Sequence, residues 1–95
     1  MFIVALTYIK PLPEVDEHID AHIEYLNTYY EAGKFVLSGR KVPRTGGVIL
    51  MNCSSVAEVN ELIALDPFSI AGVAKYDVTE FVPTMAAKSC ASLLE

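Results

Sequence analysis

Ninety-five residues amount to one domain, because a chain this short hides only about two-thirds of its unfolded surface and cannot build two cores. With 53% hydrophobic and 20% charged residues it is too apolar for disorder, and apolar enough that some of its surface is expected to meet another chain. Twelve acidic residues against seven basic ones give a net charge of -5, and with no Lys/Arg cluster this excludes a dedicated nucleic-acid binder.

No apolar run reaches the roughly 20 residues of a transmembrane helix. The opening Met1-Phe2-Ile3-Val4-Ala5-Leu6 lacks the basic segment of a signal peptide. The expected location is the cytoplasm, with no membrane partner. Cys53 and Cys90 have no metal-ligand spacing, and in a reducing compartment they are expected to be free thiols.

Phe2 to Lys10 reads as a strand that is apolar on both faces: Phe2, Val4, Leu6 and Tyr8 alternate with Ile3, Ala5 and Ile9. Such a strand is expected to be covered on both sides. Pro11-Leu12-Pro13 breaks it, and Glu14, Asp16 and Glu17 suit the positive end of a helix dipole. The first helix is predicted over Pro13 to Ala32, with Val15, Ile19, Ile23, Leu26 and Tyr30 as its buried stripe and Gly33 as its C-cap. Lys34 to Val42 reads as a second strand, and Pro43-Arg44-Thr45-Gly46 as a turn. Gly47 to Cys53 reads as a third strand, again apolar on both faces.

Ser55-Val56-Ala57-Glu58 has the pattern of a capping box. A second helix follows to about Leu65, with Val56, Val59, Leu62 and Ile63 turned inward. Asp66-Pro67-Phe68 ends it and starts one further turn, and Gly72 to Val82 reads as the fourth strand. Residues 1–83 thus form the domain. Residues 84–95 form a tail of small residues, long enough for a short docking helix, whose final Leu94-Glu95 reads as a cloning remnant.

The order β-α-β-β-α-β predicts an α+β, ferredoxin-like fold: a four-stranded antiparallel sheet with two helices on one face. The face without helices then needs a cover. The economical one is the same face of a second copy, packed sheet on sheet as a homodimer or a larger assembly built on it. Docking of the tail on that face is the alternative.

This topology gathers four distant polar residues at one end of the domain: His22, Arg40, Arg44 and Asp66. At about 100° per residue, His22 lies some 60° from the centre of the stripe, on a flank shared with His18, Tyr25 and Tyr29. That flank is able to line a cleft. An imidazole there suits a general base or acid, since it changes charge near neutral pH. The bland reading is a half-buried ring satisfied by a backbone carbonyl. His18 and His22 have helical spacing for a metal, but no third ligand is evident and the Glu of the zinc-protease motif is absent, so no metal is expected.

Asp66 precedes a proline and reads as an N-cap. It also suits the carboxylate that orients His22, and one oxygen for each task makes the roles compatible. Arg40 and Arg44 flank the hairpin and read either as surface charge or as a clamp for a carboxylate or phosphate. Ser38 and Gly39 leave room for a ligand to approach the backbone. No nucleophile elbow, phosphate loop or dinucleotide fingerprint is present, so no cofactor is expected.

Taken together, Phe2-Ile3-Val4, Asp20-Ala21-His22-Ile23-Glu24-Tyr25-Leu26, Gly33-Lys34-Phe35, Ser38-Gly39-Arg40, Pro43-Arg44-Thr45-Gly46-Gly47, Asp66-Pro67-Phe68, Ala71-Gly72-Val73-Ala74 and Tyr76 resemble the YCII-related family of dimeric α+β barrel proteins. The resemblance spans residues 1 to 83. It implies a ferredoxin-like homodimer with a His-Asp active site, roles that fall on His22 and Asp66. Most members of that family have no established reaction, and a few resemble lyases or dehydrochlorinases acting on hydroxylated aromatic rings. Arg40 departs from the Gly-Pro with which many members close the second strand.

The expected function is therefore a cofactor-free lyase or isomerase acting on a small anionic or hydroxylated substrate. His22 would move the proton and Asp66 would hold its tautomer. Arg40 and Arg44 would bind the anionic group, with Ser38, Tyr25 and Tyr29 lining the cleft. The alternative is a non-catalytic dimer that binds a small ligand or serves as an accessory module. A hydrogen bond between His22 and Asp66 beside an open cleft distinguishes the first from the second.

Overall fold

A computed structural model describes residues 1–94; Glu95, read with Leu94 as a cloning remnant, lies outside the described residues. The strands are β1 (Phe2–Tyr8), β2 (Phe35–Arg40), β3 (Gly46–Met51) and β4 (Ala74–Glu80). They form one antiparallel sheet in the order β2-β3-β1-β4. The helices are α1 (Leu12–Asp16), α2 (Ile19–Glu31), α3 (Val56–Ala64) and α4 (Pro67–Ile70). The predicted α+β, ferredoxin-like architecture is the one observed.

Strand alternation sets the layers. Phe2, Val4 and Leu6 of β1 and Ile49 and Met51 of β3 are buried in one cluster with Val15, Val59 and Phe68 from the helical segments. Each such side chain contributes roughly 1.5–3 kcal/mol. The other sheet face carries Ile3 (40% exposed) and Leu37 (60% exposed), both opposite Leu50 in register, and among the described residues no helix covers it.

The first predicted helix is in fact two. At Glu17 and His18 the chain tightens: His18 N–H bonds the Val15 carbonyl three residues back, and His18 then caps α2 with φ -112° and ψ 5°. The break re-phases the helix. The buried residues of α2 are His22 and Tyr25, while Ile23, predicted at the centre of the stripe, is 48% exposed. Polar groups occupy the inward face because each has an internal partner; the Tyr25 hydroxyl, for example, donates to the Leu62 carbonyl at 2.7 Å.

α3 begins with the predicted capping box. Ser55 Oγ accepts from Glu58 N–H, and the Glu58 carboxylate reaches back to Ser54 N–H. Val56, predicted inward, is half exposed in the first turn, and Val59 and Leu62 make the buried contact instead. The tail beyond β4 forms a 3-10 turn over Lys88–Leu93 with no buried residue. Among the described residues, no helix is long and apolar enough to cross a membrane.

Candidate functional site

The site begins at the corner between α3 and α4. Asp66 stands before Pro67, which forces it to extended angles (φ -67°, ψ 126°) and makes it the N-cap of α4. Its side chain is fully buried. Oδ1 accepts from Phe68 N–H at 3.0 Å, the capping bond, and from His22 Nδ1–H at 2.8 Å. Oδ2 accepts from the Tyr76 hydroxyl at 2.6 Å. A buried carboxylate is tolerated only with such partners, and this one has three donors.

The tautomer of His22 follows from its partner. A carboxylate only accepts, so Nδ1 carries hydrogen and Nε2 is left for other work. The ring is 9% exposed and stacks on Phe68 at 4.0 Å between centroids, 9° from parallel. It is thus held by a hydrogen bond at one edge and an aromatic face on one side. Tyr76 reaches Asp66 from β4, where register sets it opposite Leu6 on the helix face. Burial first, and then the bond to Asp66, push the Tyr76 hydroxyl far above the ordinary tyrosine range, so it stays protonated and donates. Burial raises Tyr25 likewise.

In front of His22 lies a cavity of about 430 Å³ between α2 and the helix face of β1, β3 and β2. Ile19, Ile23 and Leu26 form its helical wall, and Leu6, Ile49 and Phe68 close the deep side. His22 opens onto this space, whereas Asp66 and Tyr76 stand behind it and do not line it. The chemistry available is proton transfer at one imidazole nitrogen, facing a largely apolar chamber.

The structure gathers most, but not all, of the predicted residues. Ser38, Arg40 and Arg44 line the cavity with His22. The Ser38 hydroxyl is already engaged by the Tyr30 hydroxyl. Arg44 is engaged too: its guanidinium bonds Asp16 at 2.5 Å and lies 5.8 Å from the centroid of the Tyr8 ring. Tyr25 and Tyr29, predicted in the cleft, do not line it. Tyr25 packs edge to face on Tyr29 and on Phe35, and Tyr29 lies tilted against Phe35. Their rings lie on the core side of α2 because the break at His18 turned that flank inward.

His18 does not join His22, and the described residues contain no group of three or more His, Cys, Asp or Glu side chains placed to hold a metal. Cys53 and Cys90 are free; the first is buried and its thiol is pushed up to about 11, chiefly by burial and then by the Glu58 charge.

Sequence reasoning missed Tyr76, Phe68 and Tyr8 as parts of the site. For Tyr76 a signal existed: Ala74, Tyr76 and Val78 alternate onto the helix face, and the Asp-Pro corner comes from the helix just before that strand.

Three comparisons bear on this arrangement. The model of the YCII-related domain matches residues 1–82. No curated protein matches the chain. Among solved structures, the chain is similar to 5-chloro-2-hydroxyhydroquinone dehydrochlorinase from Burkholderia phenoliruptrix AC1100, in its complex with 2,5-dihydroxybenzoquinone. The TM-score is 0.71 at 22% identity, over 85% of this chain and 93% of that one, which is a likeness of fold.

Proposed function

The chain belongs to the YCII-related domain family, and from that premise we propose that it is a small-molecule enzyme of the lyase or isomerase type, with His22 as its general base and acid. The observation that carries this reading is the 2.8 Å bond between His22 Nδ1 and Asp66 Oδ1, at the edge of an open cavity that only the histidine of the pair reaches. A ring fixed by a buried carboxylate is suited to accept a proton at Nε2, because the charge it gains is balanced at once. The carbon that loses the proton keeps the electron pair. The pair either forms a double bond as a leaving group departs, or is reprotonated by the same Nε2 at a neighbouring atom. The fold of the dehydrochlorinase that this chain resembles, captured with a dihydroxylated ring, is consistent with such chemistry.

The hydrogen bond beside an open cleft favours catalysis over mere ligand holding. The uncovered sheet face, with Ile3 and Leu37 exposed, supports a homodimer packed sheet on sheet.

The test is solvent exchange. Wild-type protein in deuterium oxide, offered a panel of small hydroxylated and carboxylated carbon acids, should place deuterium at one carbon. His22→Ala should slow that exchange by on the order of 10²–10⁴-fold. Equal exchange by His22→Ala and wild type would overturn the assignment.

A further inference from the structure

The arginines at the cavity are four residues apart, yet they are in different states. Arg44 is bonded to Asp16 and lies over Tyr8. The side chain of Arg40 has no hydrogen-bond or ion-pair partner among the described residues. Register places Arg40 opposite Gly47, and Gly47 opposite Leu6, so the three share one row across the helix face of the sheet. Neighbouring strands lie about 4.8 Å apart, which leaves roughly 10 Å of floor between Arg40 and Leu6, with no side chain in the middle position. The floor is bare backbone, and the wall above it is apolar.

A guanidinium is charged at any working pH, and its planar fork matches a carboxylate. Arg40 is exposed, so it stands at the mouth of the cavity. A charged group held there stays partly hydrated while the body it carries moves inward. A neutral hydroxylated compound would leave Arg40 unanswered. A dianion would have to take Arg44 from Asp16. With one cation free among the described residues that line the cavity, one anionic group is the matching number.

We propose that this cavity binds a small monocarboxylate with a compact apolar body: the carboxylate on Arg40, the body over Gly47 and Leu6, and its inner end toward His22. This rests on the reading of the cavity as the acid-base site, and it narrows the substrate class from anionic or hydroxylated compounds to carboxylates.

Calorimetric titration of the intact protein tests it, with benzoate, cyclohexanecarboxylate, their neutral amides, and benzene-1,2-dicarboxylate as probes. The monocarboxylates should bind roughly tenfold tighter than the amides at low salt, the scale of one charge-assisted hydrogen bond at a wet site. The dicarboxylate should gain nothing further. Arg40→Gln should erase the preference and Arg44→Gln should keep it. Failure of both monocarboxylates to bind, equal binding of acid and amide, or a preference that survives Arg40→Gln would overturn the proposal. The His22 ring signals in a proton NMR spectrum should move with benzoate. An Arg40-dependent preference that leaves them unmoved would overturn the placement toward His22, and with it the acid-base reading of the cavity, and leave only the carboxylate on Arg40 standing.

Discussion

The Tyr76 hydroxyl stands 2.6 Å from Asp66 Oδ2, the oxygen that His22 does not use. With the Phe68 amide and the imidazole on Oδ1, both carboxylate oxygens are therefore committed, and the group cannot rotate without losing a partner. The rigidity of the histidine is borrowed from this arrangement.

Asp66→Asn separates the two tasks of this residue. Asparagine caps a helix about as well as aspartate, so α4 and the fold should survive. The carboxamide keeps one acceptor oxygen for Phe68 N–H and His22 Nδ1–H and turns its NH2 toward Tyr76, whose hydroxyl must then accept, while the negative charge that would balance a protonated His22 is lost. Exchange activity should fall by roughly 10³–10⁴-fold, the scale seen when a histidine base loses its orienting carboxylate. Melting by circular dichroism checks the fold, and the deuterium assay reads the loss. A folded Asp66→Asn variant with full activity would show that orientation by the carboxylate is unnecessary.

The two buried hydroxyls tie stability to alkaline pH. Tyr25 and Tyr76 are raised from 10.0 in the fold, mainly by burial, while in the unfolded chain they ionise near that ordinary value. The folded state therefore holds protons that the unfolded state gives up. The stability they contribute is full below pH 10 and is lost as pH rises beyond it. Urea midpoints should stay level up to about pH 10 and then fall, with a slope approaching two protons. In the double variant Tyr25→Phe/Tyr76→Phe the fall should be shallower, though the starting stability will be lower. Parallel curves for the two proteins would refute the linkage.

Gly46 has no room for a side chain. A Cβ placed there would lie 1.8 Å from the Leu6 carbonyl oxygen, which is backbone and cannot step aside. Gly46→Ala must push β3 away from β1 beneath the cavity, and should cost about 3 kcal/mol. At Gly33 nothing lies within 4 Å of the added carbon and only the positive φ of 74° opposes it. Gly33→Ala should therefore cost about 1 kcal/mol. Denaturant unfolding of both variants checks the order; a milder loss at Gly46 would contradict the strand spacing.

The open sheet face should respond to charge. Ile3 and Leu37 are exposed there and touch neither the cavity nor the buried cluster. In a sheet-on-sheet dimer, Ile3→Asp/Leu37→Asp would bury two carboxylates per chain without partners. Sedimentation equilibrium should then show a dimer for the wild type and a monomer for the variant. A wild-type monomer would remove the dimer assignment.

Much of this architecture was legible in the sequence because two periodicities report it. Alternation in β1 separated Phe2, Val4 and Leu6 from Ile3 and Ala5, and topology alone brought His22 and Asp66 to one end. Hydrophobic periodicity misplaces the buried face of α2 for a physical reason. A hydrophobic stripe ranks Ile23 above Tyr25, yet the tyrosine is the buried one, because its hydroxyl finds the Leu62 carbonyl. Such a partner comes from another element and leaves no local trace. The break at Glu17 and His18 was invisible for a similar reason: no proline or glycine marks it, and only the tightened bond to Val15 reveals it. The unequal states of Arg40 and Arg44 likewise depend on Asp16, twenty-eight residues from Arg44.

The cavity draws its two walls from different parts of the chain. The hydrogen-bonded groups His22, Asp66 and Tyr76 come from α2, the α4 corner and β4, where Asp66 also starts a helix, so alterations there disturb folding. The opposing rim belongs to the β2–β3 hairpin, whose first strand lies at the border of the sheet. If the proposed function holds, retargeting the protein to other compounds is a task for that border, at Ser38, Gly39 and Arg40, where new specificities can be grafted while the His22–Asp66 half is left as it stands.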